Sequence, residues 1–215
     1  MNYEIKVGDS LEVLRTMDDE SVHCCVTSPP YWALRNYDHD GQLGQEATPE
    51  EYVDKLVEIM SEVKRVLRSD GTLWLNLGDS YVGSGSKGKY KDPKNTKGRN
   101  GQTDAKNTKV QGLKPKDMVG IPWRVAFALQ ADGWWLRSDI IWHKPNAMPI
   151  PVNDRPTSCH EHIFLLSKSK NYYYDKDAIL EPLKNPNRKD PPGTAGFGGN
   201  KHTGNKDKTL NNAYS

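Results

Sequence analysis

The sequence has little of what marks a secreted or membrane protein. Its 215 residues include three cysteines, two of which, Cys24 and Cys25, are adjacent. This arrangement matches neither a disulfide framework nor a zinc-binding spacing. No apolar run approaches the length that spans a membrane, and no basic-then-apolar leader opens the chain. We therefore expect a soluble, cytoplasmic protein with no membrane partner and no metal site.

Apolar residues are also scarce, at 35% of the chain, and the net charge is only +2. The shortage is concentrated in two polar, glycine-rich and basic stretches, residues 83–118 and 183–215. We expect one domain over residues 1–182 with a flexible insert at 83–118, followed by a polar tail at 183–215. The lysines of these stretches suit a polyanionic partner, and the alternative is that they keep solvated loops soluble.

Strands and helices alternate along the better-patterned parts of the chain. Predicted strands cover residues 3–7, 22–26, 72–77, 135–136, 140–142 and 163–166. Predicted helices follow an N-cap at Ser10, follow a capping box at Thr48, and run from Pro122 to Ala131 with Gly133 as the C′ residue. The alternation predicts an open, doubly wound α/β sheet, in which ligands bind at the carboxyl ends of the strands.

The most informative segment is Ser28-Pro29-Pro30-Tyr31, which follows a nearly continuous apolar run at 22–26. Such a run is typical of a strand buried on both faces of a parallel sheet. The two prolines end ladder pairing and hold the residue before each of them extended. The Ser28 hydroxyl and the Pro29 carbonyl are then able to converge as acceptors on an amino group, while Tyr31 offers a face for a planar ring. The alternative is a proline-rich turn that only closes the strand.

The turn resembles the fourth motif of the DNA amino-methyltransferases, written Asp/Asn/Ser-Pro-Pro-Tyr/Phe, and its order in the chain resembles the circularly permuted (beta) branch. The resemblance implies a Rossmann-like fold, S-adenosylmethionine as the cofactor, and methyl transfer to the amino group of a base flipped out of double-stranded DNA. It implies catalytic roles for Ser28, Pro29, Pro30 and Tyr31. Restriction–modification systems of bacteria and phages are the implied setting.

The first residue of the turn bears on the target base. Serine at this position implies N4 of cytosine as the preferred target, and N6 of adenine is the alternative. Methylation of cytosine C5 is disfavoured, because it needs a cysteine nucleophile in a loop, whereas Cys24 and Cys25 fall in mid-strand and are predicted as core.

Two further segments extend the resemblance. Gly8-Asp9-Ser10 resembles the third motif, which implies that Asp9 and Ser10, together with Thr27, bind the cofactor; the alternative for Asp9 is a simple helix cap. Residues 142–146 resemble the eighth motif, near the target base. This likeness and the position next to the turn imply a substrate-binding set made of Trp32, Trp142, Lys144 and Asn146.

One expected motif is not recognisable. The glycine-rich cofactor loop of the family, Phe-x-Gly-x-Gly after a strand, is not found, and Gly196-Phe197-Gly198-Gly199 has its composition without a preceding strand. Three explanations remain open: a truncated chain, a split enzyme completed by a second polypeptide that supplies the loop, or an unrecognised route of cofactor binding. We favour the first. The tail at 183–215 then occupies the place of the target-recognition region.

Three functional hypotheses follow from these residues. The first is a site-specific DNA methyltransferase acting on an exocyclic amino group. The second keeps the chemistry and changes the substrate to RNA or a protein amide. The third is a catalytically incomplete DNA-binding fragment of such an enzyme.

Overall fold

A mixed sheet in the order β1-β2-β4-β3 forms the frame of the computed structural model, which describes residues 3–34, 36–83, 110–149 and 153–180. The strands are β1 at Val22–Thr27, β2 at Leu67–Leu77, β3 at Trp135–His143 and β4 at His160–Ser167. β1 and β2 are parallel, and β4 is antiparallel to both of its neighbours, β2 and β3.

The described part of the chain contains three α-helices, α1 at Ser10–Arg15, α2 at Pro49–Val66 and α3 at Ile121–Ala131. α1 packs on α2, and α2 packs on α3. The described residues divide into two units, and all of these elements belong to the first, which ends at Tyr173. In the second unit, which begins at Tyr174, a 3-10 helix covers Asp177–Ile179.

The second helix forms where its local sequence predicts it. The Thr48 hydroxyl accepts a hydrogen bond from the Glu51 N–H at 3.2 Å, and the Glu51 carboxylate accepts one from the Ala47 N–H at 3.0 Å. Pro49 occupies the first turn, where its missing N–H costs nothing. One side of α2 is buried, and its largest side chains are Tyr52, Leu56, Met60 and Val63. The capping box and the helical spacing are therefore confirmed.

The core lies between one face of the sheet and the helices. Leu73, Leu75 and Leu77 alternate along β2 and are fully buried. Leu75 pairs with Phe164 and Leu73 with Leu166, so β4 adds buried side chains to the same face. From α3 the buried side chains are Ile121, Val125, Ala126 and Leu129. This arrangement places the helices over the central strands and leaves β1 at an edge.

The edge position of β1 corrects the prediction of a strand buried on both faces. Within the described ranges β1 has one neighbour, β2, and none of its residues is fully buried. Val26 is 78% exposed, Cys24 is also exposed, and Cys25 is half-buried, so the predicted core role of Cys24 is wrong. An apolar run indicates a strand whose side chains are to be buried by neighbouring elements. Among the described residues, no element packs on the outer side of β1.

Two local predictions are also corrected. The alternating residues Tyr3, Ile5 and Val7 do not form a strand, and all three are largely exposed, because no described strand pairs with them. The strand predicted at 72–77 starts earlier than expected, because β2 begins at Leu67, directly after α2. Its pairing with β1 shifts register between the Val22–Leu67 and Cys24–Thr72 pairs, so the residues between Leu67 and Thr72 form a bulge.

Part of the predicted flexible insert belongs to the folded unit. Val110 is buried, and the Val82 N–H donates to the Asp117 carbonyl while the Lys116 N–H donates to the Val82 carbonyl. Tyr81 and Met118 form an isolated antiparallel bridge. Residues 110–118 are therefore fixed by backbone hydrogen bonds, whereas residues 84–109 and the tail at 183–215 lie outside the described residues. Within the described ranges, no helix has the length and apolar character needed to cross a membrane.

Candidate catalytic turn and cofactor cavity

The Ser-Pro-Pro-Tyr turn starts directly after Thr27, the last residue of β1, at the carboxyl end of the strand. The hydroxyl of Tyr52, a buried residue of α2, donates to the Pro30 carbonyl at 2.8 Å. Burial, followed by the charge of Glu46 and then Tyr31, raises the pKa of Tyr52, so its hydroxyl stays a donor. Among the residues that the structure describes, no donor is bonded to the Pro29 carbonyl. The turn is thus tied to α2 through one carbonyl and keeps the preceding carbonyl available.

The turn separates two cavities. The larger, of about 1130 Å³, is lined by the predicted cofactor residues Asp9, Ser10 and Thr27 and by apolar side chains of α1 and α2. The smaller, of about 340 Å³, is lined by Tyr31, Leu34, Tyr37 and Glu161. Ser28, Pro29 and Pro30 line both cavities. Groups bound in the two cavities would therefore meet at the turn.

Asp9 has a structural task as well as a place in the larger cavity. Its carboxylate accepts hydrogen bonds from the N–H groups of Leu11 at 2.9 Å and Glu12 at 3.1 Å, which makes Asp9 the N-cap of α1. The prediction that Ser10 caps this helix is therefore wrong, because the carboxylate one residue earlier reaches the same donors. Asp9, Ser10 and Thr27 do share one cavity, and their contact with a cofactor stays a prediction.

The predicted substrate residues are distributed unevenly. Trp32 is 1% exposed, and its indole N–H donates to the Glu46 carbonyl at 3.1 Å, which supports a packing role in place of the predicted contact with substrate. Trp142 and Asn146 are exposed. The Lys144 ammonium contacts the Glu161 carboxylate, which borders the smaller cavity. Lys144 thus contacts a residue that borders the smaller cavity, whereas Trp32 is part of the hydrophobic core.

Glu161 is a site residue that the sequence reasoning missed. Its carboxylate accepts hydrogen bonds from the Tyr31 hydroxyl and from the Asn76 amide, each at 3.2 Å, as well as from Lys144. Partial burial acts to raise the pKa of Glu161, but the bonds from Lys144, Asn76 and Tyr31 outweigh it and hold the pKa below its usual range. No sequence signal marks Glu161, because its partners come from three separate segments.

Asp79, at the end of β2, connects the sheet to α3. Its carboxylate accepts hydrogen bonds from the N–H groups of Ser80 at 2.8 Å, Gly120 at 3.0 Å and Ile121 at 3.0 Å. Burial raises the pKa of Asp79 although these donors oppose the shift. Gly120 has a φ of 78°, a left-handed conformation that glycine adopts without strain. Asp79 therefore replaces a side-chain cap at the start of α3.

Two remaining predictions concern features that the described residues do not contain. Gly196-Phe197-Gly198-Gly199 lies outside the described residues. In the described ranges, no group of three or more His, Cys, Asp or Glu side chains is arranged to hold a metal ion.

Comparison with known proteins places the chain in a family. The model of the N6/N4 DNA methylase family matches residues 22–214. Type II methyltransferase M.SmaI of Serratia marcescens is 53% identical over 183 residues, which cover 85% of this chain and 62% of the relative. Type II methyltransferase M.Cfr9I of Citrobacter freundii is 55% identical over 174 residues, which cover 81% and 57%. The chain thus spans about three fifths of the length of these curated relatives.

Solved structures show the same fold. The cytosine-N4-specific PvuII DNA methyltransferase aligns with a TM-score of 0.55 at 23% identity, over 81% of this chain and 52% of that one. A putative DNA modification methylase of Thermus thermophilus, solved with S-adenosyl-L-methionine, aligns with a TM-score of 0.52 at 24% identity, over 80% and 56%. These alignments confirm the predicted Rossmann-like α/β class.

Proposed function

This chain belongs to the N6/N4 DNA methylase family, and from that premise we propose that it transfers a methyl group from S-adenosylmethionine to the exocyclic amino group of a base in double-stranded DNA. The observation that carries the proposal is the position of the Ser28-Pro29-Pro30 segment in the walls of two cavities. A methyl donor in the larger cavity and a flipped base in the smaller one would face each other across these residues.

The residues of the turn act by holding the amino group in place. The Ser28 hydroxyl and the Pro29 carbonyl accept hydrogen bonds from its two protons, which directs the nitrogen lone pair away from them. S-adenosylmethionine, when bound, supplies the methyl group. Such positioning lowers the barrier without a titrating side chain at the reacting atom. The attachment of Pro30 to Tyr52 keeps the turn in place while the base enters.

The walls of the smaller cavity suit a planar ring. Its volume of about 340 Å³ falls in the roughly 300–1,000 Å³ range of small-molecule sites. Tyr31 and Tyr37 supply aromatic faces, Leu34 supplies an apolar wall, and Glu161 supplies one acceptor. We assign the stacking contact to Tyr31, because it belongs to the turn that holds the amino group. Trp142, Lys144 and Asn146 remain candidates for contacts with the surrounding DNA.

We propose N4 of cytosine as the target, with N6 of adenine as the second candidate. The serine that opens the turn supports cytosine by family resemblance, and a protein of the same fold is named as cytosine-N4-specific. The acceptors of the turn suit either amino group, so the assignment depends on the product. A cytoplasmic location is proposed with it, because that is where bacterial DNA lies.

We also propose that a further polypeptide segment completes the cofactor site. The relatives are longer than this chain, β1 has an open parallel edge among the described residues, and Cys25 and Thr27 of β1 line the larger cavity. Asp9, Ser10 and Thr27 would contact the cofactor from one side. The glycine-rich loop expected of the family would come from the added segment, in the same polypeptide or in a second one.

Methyl transfer from tritiated S-adenosylmethionine tests these proposals. The chain is assayed with duplex DNA, tRNA and protein, alone and together with the part of the Serratia marcescens relative that lies outside the matched 62%. We expect label in duplex DNA, recovered as N4-methylcytosine, when the added part is present. Label in tRNA or protein without label in DNA would contradict the DNA assignment, and N6-methyladenine would select the second base.

Calorimetry separates an enzyme that needs completion from a chain that only binds DNA. We expect S-adenosylmethionine to bind with higher affinity when the added part is present. A complemented chain that binds duplex DNA without any affinity for S-adenosylmethionine would support the catalytically incomplete reading and overturn the proposed transfer.

A further inference from the structure

The ring of Tyr31 is held against the backbone at the end of β2. A Cβ atom built on Gly78 would lie 2.5 Å from the Tyr31 Cε2 and 2.7 Å from its Cδ2, so the ring occupies the space that any side chain at position 78 would need. At Gly44 a Cβ would lie 2.9 Å from the Tyr31 carbonyl oxygen, and its φ of 93° also favours glycine. The absence of a side chain at Gly78 thus makes room for the ring of Tyr31, and its absence at Gly44 makes room for the Tyr31 carbonyl.

The far end of the same ring is held by Glu161. β2 and β4 pair Leu77 with His162, and continuing this antiparallel register places Gly78 beside Glu161. The Tyr31 hydroxyl donates to Glu161 Oε2 at 3.2 Å. The ring is therefore packed on Gly78 along one side and bonded through its oxygen at the end.

Glu161 is itself fixed by two donors. The Asn76 amide of β2 donates to Oε2 at 3.2 Å, and the Lys144 ammonium, just after β3, contacts Oε1. The side chain of Glu161 is 21% exposed, and these donors hold its pKa below the usual range, so it is a carboxylate at neutral pH. An ionised carboxylate only accepts hydrogen bonds. The Tyr31 hydroxyl must therefore point its proton at Glu161.

That direction has a consequence for Ser28. The Ser28 Oγ lies 3.4 Å from the Tyr31 hydroxyl oxygen and is placed to donate to it. With the proton of Tyr31 committed to Glu161, the tyrosine oxygen presents lone pairs to Ser28. The Ser28 hydroxyl then donates its proton to the Tyr31 oxygen, and the lone pairs of Ser28 Oγ are left to accept from another donor.

We propose that Glu161 is a positioning residue that orients Tyr31 and, through Tyr31, the acceptor of Ser28, with Gly78 as the surface on which the ring rests. The inference rests on the proposed function for its purpose, since the donor that Ser28 would meet is the amino group of the base. Its physical content is independent of DNA, because it concerns how Glu161 holds a ring within the folded chain.

Fluorine NMR of the full chain labelled with 3-fluorotyrosine tests the positioning. Tyr31→Phe assigns the Tyr31 resonance among those of the ten tyrosines. We expect E161Q to shift this resonance toward that of a free tyrosine and to narrow it, because the neutral amide binds the hydroxyl and Lys144 less well. E58Q is the matched control, since Glu58 pairs with Arg15 on the surface and should leave Tyr31 unchanged.

A second variant, G78A, tests the position of the ring in case E161Q does not fold. G78A places a methyl group in the ring, and we expect the Tyr31 resonance to move while the remaining tyrosine resonances keep their wild-type positions. A Tyr31 resonance that is unchanged in a folded E161Q would overturn the role of Glu161. If E161Q loses the dispersion of all tyrosine resonances, an unmoved Tyr31 in G78A overturns the proposed holding of the ring.

Kinetics of the complemented enzyme link the positioning to base chemistry. We expect E161Q to lower kcat by about 10–100-fold with the KM for DNA nearly unchanged, because a misplaced acceptor costs the transition state more than binding. If the NMR data show that Glu161 holds the Tyr31 ring but the complemented wild-type enzyme transfers no methyl group, the proposed function is overturned and the positioning role stands. A mobile Tyr31 in E161Q with full kcat would overturn the link to Ser28 alone.

Discussion

Ser28 is exposed at the end of β1, so its side chain contributes little to the core and its substitution isolates the acceptor. Ser28→Ala should lower turnover by about 10–100-fold and leave DNA affinity nearly unchanged, since the lost hydrogen bond matters mainly in the transition state. Single-turnover methylation by the complemented enzyme and DNA-binding titrations measure the two effects. Ser21→Ala is the control, because Ser21 is also exposed and only donates to the Asp18 carbonyl. Unchanged turnover would mean that the Pro29 carbonyl suffices.

Tyr31 separates ring stacking from hydroxyl bonding within one residue. Tyr31→Ala should weaken capture of the flipped base by about 1–3 kcal/mol, the usual value for base stacking, measured by 2-aminopurine fluorescence in a duplex. Tyr31→Phe keeps the face of the ring and loses the bond to Glu161, so we expect near-normal capture with reduced turnover. Tyr173→Ala, at a residue that is 71% exposed, is the control. Equal capture by the Ala and Phe variants would contradict the stacking role.

The two adjacent cysteines of β1 differ in burial, which should give their thiols different reactivities. Burial, followed by the neighbouring Cys24, raises the pKa of Cys25 to about 11, whereas Cys24 is exposed. Because the thiolate is the reactive form, iodoacetamide at pH 8 should modify Cys24 first, and the rate at Cys25 should keep rising with pH toward 11. Peptide mass spectrometry after timed labelling measures both rates. Faster labelling of Cys25 would show that β1 is not buried on its inner face.

At the scale of elements, one carboxylate, that of Asp79, caps the start of α3 from the end of β2. Asp79→Ala would leave the partly buried N–H groups of Gly120 and Ile121 without their acceptor. We expect the free energy of unfolding to fall by about 1–3 kcal/mol, measured by urea denaturation. Asp54→Ala, on the exposed side of α2, should change it by less than about 0.5 kcal/mol. Similar losses in the two variants would contradict the capping role.

The elements that the sequence predicts well are those whose signals are local. Thr48, Pro49 and Glu51 lie within four residues, and their capping box forms as expected. The likeness of the Ser28–Tyr31 turn to a known motif is equally local, and the turn lies between the two cavities. Glu161 could not be predicted, since its partners are separated from it by 17, 85 and 130 positions. Trp32 is predicted to contact the substrate but is buried, because its position next to the turn in sequence does not reveal how its indole packs in the folded chain.

At the scale of the whole molecule, β1 is an edge strand within the part of the chain that the structure describes, although its sequence is largely apolar. An edge strand exposes unpaired backbone groups, and proteins usually protect such edges by covering or charging them. β1 instead presents Val26, which is 78% exposed, and its neighbours Cys25 and Thr27 line a cavity of about 1130 Å³ together with apolar side chains of α1 and α2. The opposite edge, β3, also exposes an apolar residue, Ile141, at 52%. The cavity distinguishes the β1 edge as the one that an additional strand would complete.

A charge placed on each edge tests this difference. Val26→Asp should reduce assembly with the remaining part of the Serratia marcescens relative by at least about tenfold, because a carboxylate buried against an added strand loses its hydration. The free energy of unfolding of the chain alone should change little, since the Val26 side chain is already exposed. Ile141→Asp, a similar change on the other edge, should leave assembly unaffected. Size-exclusion chromatography and binding titrations of the purified parts measure assembly, and equal losses in both variants would contradict a specific role of the β1 edge.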